Sequence, residues 1–117
     1  MSLNNEVRLI GNIVREPDVY TSDRGSFSRI RMAVNTKRGD NEDTLFIDVK
    51  LFGYAHKDLE NNNLSKGDRV VVYGRLSIEE FLDKEQNKRK EAVVYASSLM
   101  KIAKRSSPEE SVEKEQF

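Results

Sequence analysis

Two phenylalanines pose the first chemical question. In TLFIDVKLFG, Thr44 to Gly53, Ile47, Val49 and Leu51 take one phase of an alternating pattern, and Asp48 and Lys50 take the other. Phe46 and Phe52 share the charged phase, so both rings are expected on the wet face of a strand. Flat apolar rings beside cations suit single-stranded nucleic acid, whose bases stack on rings and whose phosphates meet Lys or Arg. An anion at Asp48 is awkward beside a phosphate backbone; the platform stands if Asp48 pairs with a neighbouring outward Arg.

Neighbouring segments extend this face. Phe27 to Asn35 alternates with Ile30, Met32 and Val34 inward and Phe27, Arg29 and Arg31 outward. Phe27 stays outward unless a bulge near Gly25 turns it into the core. Asp68 to Glu80 alternates with Val70, Val72, Leu76 and Ile78 inward, and Phe81 continues the outward phase of Tyr73 and Arg75. Phe46, Phe52 and Phe81 are therefore the candidate stacking rings. Arg29, Arg31, Lys50 and Arg75 are the strand candidates for phosphate contact, with Lys37, Arg38 and Lys66 as loop candidates. Any one ring could instead pack under a loop, the helix or a second subunit; three in phase with cations favour a binding face.

Catalytic chemistry finds little support. The single histidine, His56, falls in a helical segment and reads as a surface or partly packed residue. Zero cysteines and one histidine cannot supply a zinc site, and they exclude a disulfide framework. Lys66 precedes Gly67 rather than following a glycine, so the phosphate cradle GxxxxGK[ST] is missing. No cofactor, no metal and no enzymatic activity are expected.

The elements that must hold this face are short strands. A first strand covers about Val7 to Val14; Val7, Leu9 and Ile13 form one side, and Ile10 and Val14 make the other side apolar too. That second side needs a cover, either a homo-oligomeric interface or a terminal segment. Arg15 to Ser26 reads as a loop, followed by the strand Phe27 to Asn35, a polar loop from Thr36 to Asp43, and the opening stretch as third strand. Tyr54 to Asn63 is the helical candidate, Asp68 to Glu80 a fourth strand, Asp83 to Lys90 a charged turn, and Glu91 to Ile102 a fifth strand. Glycines at 11, 25, 39, 53 and 67 keep an even spacing of 14, but their flanks differ, so they read as turns or bends rather than a repeat. Three strands, a helix and two strands predict an all-β OB-fold, a five-stranded Greek-key barrel with a short helix between strands three and four.

Composition bounds the rest. The 117 residues fit one domain, 37% apolar and 34% charged. The net charge of zero hides an asymmetry: residues 1–105 hold 19 Lys/Arg and 16 Asp/Glu, a net of +3, and residues 106–117 hold one Lys and four Glu, a net of −3. Residues 1–103 are expected to form the barrel and 104–117 a flexible acidic tail. No apolar run has the length of a membrane span and the start MSLNNEV lacks a signal-peptide layout, so a cytoplasmic protein with no membrane partner is expected.

Five blocks in order resemble the bacterial single-stranded DNA-binding protein family: GNIVREPDVYTSDRGSF, IRMAVN, FIDVKLFGYA, LSKGDRVVVYGRL and ASSLMKI. They span about residues 5–102. The resemblance implies an OB-fold, assembled as a homo-oligomer with a tetramer favoured, that wraps single-stranded DNA without sequence preference in replication, recombination and repair. Family stacking positions fall on Phe46, Phe52 and Phe81, two of which are commonly tryptophan, and this chain has no Trp. Family members often carry basic residues near the end of strand four, where this chain has Ser77, Glu79 and Glu80; weaker binding or a shifted DNA path follows. The family's acidic terminus, used to recruit replication and repair proteins, has its counterpart in EESVEKEQF, ending in Phe117 without the usual proline. An incidental last residue on a solvated tail is the alternative. A second functional reading is an OB-fold adaptor, like a primosome component, whose outward rings meet a replication protein.

Overall fold

The computed structural model describes residues 4–104. In chain order these form β1 (Val7–Ile13), β2 (Asp18–Ser22), β3 (Gly25–Arg38), β4 (Asn41–Leu51), α1 (Tyr54–Asn61), β5 (Asp68–Leu82) and β6 (Lys88–Lys104). The strands run β1-β5-β6-β4-β3-β2 across one sheet, and β1 also pairs back onto β3. That pairing closes β1, β3, β4, β5 and β6 into a five-stranded barrel, with α1 between its third and fourth strands. The OB-fold expectation holds.

The alternation of β3 and β4 builds the core. Their register sets Ile30 opposite Val49 and Met32 opposite Ile47, all four buried. Val70, Val72, Val94 and Leu99 close the core from β5 and β6. Each such side chain contributes roughly 1.5–3 kcal/mol on full burial. Ala55 and Leu59 of α1 pack into the same cluster. His56 is buried too, rather than at the surface: its Nδ1 lies 3.1 Å from the Ser28 hydroxyl and its Nε2 3.5 Å from Glu60.

Four of the evenly spaced glycines hold positive φ at or beside turns, while Gly11 sits inside β1. A Cβ at Gly11 would collide with the carbonyl oxygen of Ala33, so the absent side chain is what lets β1 meet β3 where the barrel closes.

Three sequence expectations need correction. The segment read as the loop Arg15–Ser26 contains β2, an edge strand paired antiparallel with β3 from Asp18↔Arg29 to Ser22↔Gly25. Thr36–Asp43 is not a loop: β3 and β4 stay paired to Arg38↔Asn41, so Lys37 and Arg38 sit at the end of a hairpin arm that turns at Gly39 and Asp40. Leu76 and Ile78 keep the inward phase but are 44% and 59% exposed. β5 and β6 remain paired to Leu82↔Lys88, and Leu76 and Ile78 lie on that arm, outside the buried cluster.

Candidate nucleic-acid interface

The strand register arranges outward side chains in rows. Tyr20 of β2 lies opposite Phe27 of β3, and Ser28↔Leu51 pairing sets Phe27 beside Phe52, the residue just past the end of β4. The rings follow the backbone: Tyr20 and Phe27 stack at 4.9 Å, Phe27 and Phe52 at 5.2 Å, and Phe52 meets Tyr95 of β6 at 6.0 Å. These spacings approach the distance between neighbouring strands, so the rings stand side by side as a cross-strand ladder. Phe27 points outward; no bulge turns it in. The Arg75 guanidinium covers the Tyr95 ring at 4.6 Å, and Arg29 lies 5.8 Å from the Tyr20 ring.

The next rows carry charge. Arg29 pairs with Asp18 at 3.4 Å, Arg31 with Asp48 at 2.9 Å and Glu91 at 3.6 Å, and Lys50 with Glu79 at 2.9 Å. Asp48 therefore has the outward arginine partner that keeps the face compatible with a phosphate backbone. Tyr95 donates its phenol hydrogen to Glu79. That bond is the largest cause holding the Glu79 carboxyl below its ordinary range, with the Lys50 bond next. The same bond raises the Tyr95 phenol above its usual value.

Phe46 is 53% exposed on β4 and Phe81 46% exposed on the β5–β6 arm, and neither touches another ring among the described residues. About half of each residue is thus accessible and engaged by no other described ring. Phe52 is 43% exposed but stands between Phe27 and Tyr95, so its edge rather than its face is offered. Of the candidate cations, Arg29, Arg31 and Lys50 share the central face, each with a carboxylate partner, and Arg38 pairs with Asp43 at 2.8 Å on the hairpin arm. Arg75, Lys37 and Lys66 carry no ion pair among the described residues. Lys66 lies in the turn before β5, where Gly67 donates to the Ile13 carbonyl at 2.8 Å, and no described contact joins it to the face. Phe117 lies outside the described residues.

Sequence reasoning overlooked Tyr20 and Tyr95. Tyr20 lies in a stretch without alternation, and only its pairing with β3 brings it to the ladder. Tyr95 did carry a signal: with Val94 and Ala96 inward, it takes the outward phase. A shallow pocket of about 320 Å³ lies beside the ladder, lined by Arg29, Asp48, Lys50, Glu79, Phe81, Glu91, Ala92 and Val93.

A five-stranded OB barrel carrying rings and cations on one face matches what comparison with known proteins finds. The Single-strand binding protein family matches residues 4–102, and the chain belongs to that family. Among its relatives, the single-stranded DNA-binding protein of Helicobacter hepaticus is 33% identical over 112 residues, covering 91% of this chain and 65% of that protein. The Wolinella succinogenes protein of the same name is 32% identical over 104 residues, covering 84% and 64%. The chain thus spans just under two thirds of the length of these relatives. Two solved structures share the fold: the small single-stranded DNA-binding protein of Streptomyces coelicolor, with a TM-score of 0.75, 24% identity and coverage of 89% and 100%, and the Plasmodium falciparum SSB in complex with ssDNA, with 0.70, 23% and coverage of 88% and 97%. No helix among the described residues is long and apolar enough to cross a membrane, and no group of three or more His, Cys, Asp or Glu among them could hold a metal ion.

Proposed function

We propose that the chain binds single-stranded DNA on the outward face of β3, β4 and the β5–β6 arm, and serves replication, recombination and repair. The observation that carries this is the pair of open rings, Phe46 and Phe81, on a face that also holds a four-ring ladder and Arg29, Arg31, Lys50 and Arg75. The relatives' shared description supports the ligand. Most of the face's cations are already paired with carboxylates, so stacking supplies much of the affinity, and phosphate contacts fall first to Arg75 and the arm's Lys37, with Arg38 shared with Asp43. Titration of labelled oligo-dT at two salt concentrations tests the reading. Binding that weakens as salt rises is expected, and no binding at low salt refutes it.

The same proposal includes a homo-oligomer, with a tetramer favoured. Val7 to Gly11 pair with β5 on one edge only, leaving the other edge of β1 unpaired among the described residues. Beside that edge the barrel's outer surface is apolar: Ile10 lies opposite Val71 and Val71 opposite Met100, with Tyr73, Met100 and Ile102 exposed. An open edge next to an apolar patch suits pairing with a second copy. The acidic segment 104–117, ending in Phe117, is proposed to recruit replication and repair proteins, because an apolar end group with a free carboxylate fits a basic, hydrophobic pocket.

A further inference from the structure

The shallow pocket between the Phe81 ring and β4 has an unusual charge for a DNA-binding surface. Its walls hold two cations, Arg29 and Lys50, against three carboxylates, Asp48, Glu79 and Glu91. The formal sum of the lining is 2 − 3 = −1, with the Arg31 guanidinium against Asp48 and Glu91, so the pocket offers a phosphate no net positive charge. A base needs none. At about 320 Å³ the pocket reaches the size at which ligand sites begin, roughly 300 Å³, and Phe81 supplies an apolar wall.

The polar groups in the walls are only partly spent. Glu79 takes the Lys50 and Tyr95 bonds on Oε2 alone, leaving Oε1 without a hydrogen bond among the described residues. Glu91 has only the 3.6 Å approach of Arg31. Arg29 spends an Nη2 donor on a 3.4 Å contact to Asp18 and its Nε is buried without a partner, so the remaining Nη donors are the ones it can offer to the pocket. Unspent carboxylate acceptors and unspent guanidinium donors thus line one cavity. Among the four bases, guanine alone places two adjacent donors, N1–H and the 2-amino group, on one edge, and it carries O6 and N7 acceptors beside them. A carboxylate takes that donor pair as a fork, and a cation takes the acceptors.

We infer that this pocket is a base-edge site that prefers guanine, with Glu91 accepting from N1–H and the 2-amino group and Arg29 donating to O6 and N7. The inference rests on the proposed single-stranded DNA binding and adds a base preference to an otherwise sequence-tolerant face. The backbone passes outside the pocket, beside Arg75 and the hairpin arm, and the base turns inward against Phe81. A protein that slides along single strands settles where a guanine reaches the site.

The test compares three strands by fluorescence anisotropy at one salt concentration: all-dT, dT with spaced guanines, and dT with hypoxanthine at the same positions. Hypoxanthine has the ring system of guanine and lacks the 2-amino group, so stacking is nearly matched. The guanine strand is expected to bind about tenfold more tightly than the hypoxanthine strand, within the range of a bidentate base-edge contact. In Glu91→Gln the ratio is expected to fall towards one. Equal binding of the guanine and hypoxanthine strands by the unaltered protein, with all-dT still bound, overturns the guanine site and leaves the DNA reading standing. A ratio that persists in Glu91→Gln overturns the assignment to Glu91. Failure to bind any of the three strands overturns the DNA reading and the guanine site together.

Discussion

Removing Phe46 or Phe81 should weaken DNA binding without unfolding the protein, whereas removing Phe52 should do the reverse. Phe46 and Phe81 are about half exposed and touch no other ring among the described residues, so Phe46→Ala and Phe81→Ala delete stacking surface at little cost to the fold. A stacked base is worth roughly 1–3 kcal/mol by alanine substitution, which raises the oligo-dT dissociation constant about fivefold to about 150-fold for each ring. The two rings stand on β4 and β5, with β6 between them, so the losses should add in the double variant. Phe52→Ala instead removes the middle of the ladder. It breaks contacts to Phe27 and Tyr95, each worth roughly 0.5–1.5 kcal/mol beyond the buried area, and should lower Tm by about 4 °C or more. Anisotropy titration at fixed salt reads the first effect, and thermal melting followed by circular dichroism reads the second. An unchanged dissociation constant in the folded double variant Phe46→Ala/Phe81→Ala would remove the open rings from the site. A Phe52→Ala protein that keeps its Tm would show that the ladder does not stabilise the sheet.

Three further outcomes follow from other parts of the molecule. Gly11→Ala should destabilise by about 1–3 kcal/mol, read by denaturant unfolding, because its Cβ meets the Ala33 carbonyl; wild-type stability would refute that close approach. Glu79 has a lowered pKa in the folded state through Tyr95 and Lys50, so its stabilising effect is present above its ordinary value of 4.5 and is lost as pH falls through the folded value. The Tm of the unaltered protein should therefore fall more steeply than that of Glu79→Gln below about pH 4.5, and parallel curves would contradict the linkage. Met100→Glu places a charge in the outer apolar patch and should reduce the molar mass measured by light scattering; an unchanged mass would exclude that patch as a subunit contact.

Much of the barrel was legible because its strands alternate. β3 and β4 combine a continuous buried phase with a charged one, and that contrast marks both the core and the face that opposes it. The charge pattern raised the question of a partner for Asp48, and the register answers it with Arg31. What alternation could not show was how far pairing continues once burial ends. Thr36 to Asp43 has no apolar phase, yet backbone hydrogen bonds carry the two strands to Arg38↔Asn41. Leu76 and Ile78 have the right phase for a core but lie where the arm has left it. β2 was hidden for the first reason, and Tyr20 with it. Tyr95 was missed for a different one, since its role depends on the parallel pairing of β4 with β6, Lys50↔Tyr95, which no local pattern encodes.

The closing of the barrel has a kinetic consequence. β5 and β6 are paired along fifteen positions, whereas β1 and β3 meet only at Asn12↔Ala33 and Ile13↔Met32, with one further bond from the Val14 amide to the Arg31 carbonyl. The barrel is therefore a ribbon with a short seam. Opening it breaks few hydrogen bonds and leaves the long β5–β6 and β3–β4 ladders intact, so it is the least costly sub-global fluctuation the topology permits. In native-state hydrogen exchange, amides at the seam should trade their protons well before those of Val70 and Val94. β1, whose other edge stays open along Val7–Gly11, is then also the latch that sets how often the interior meets water.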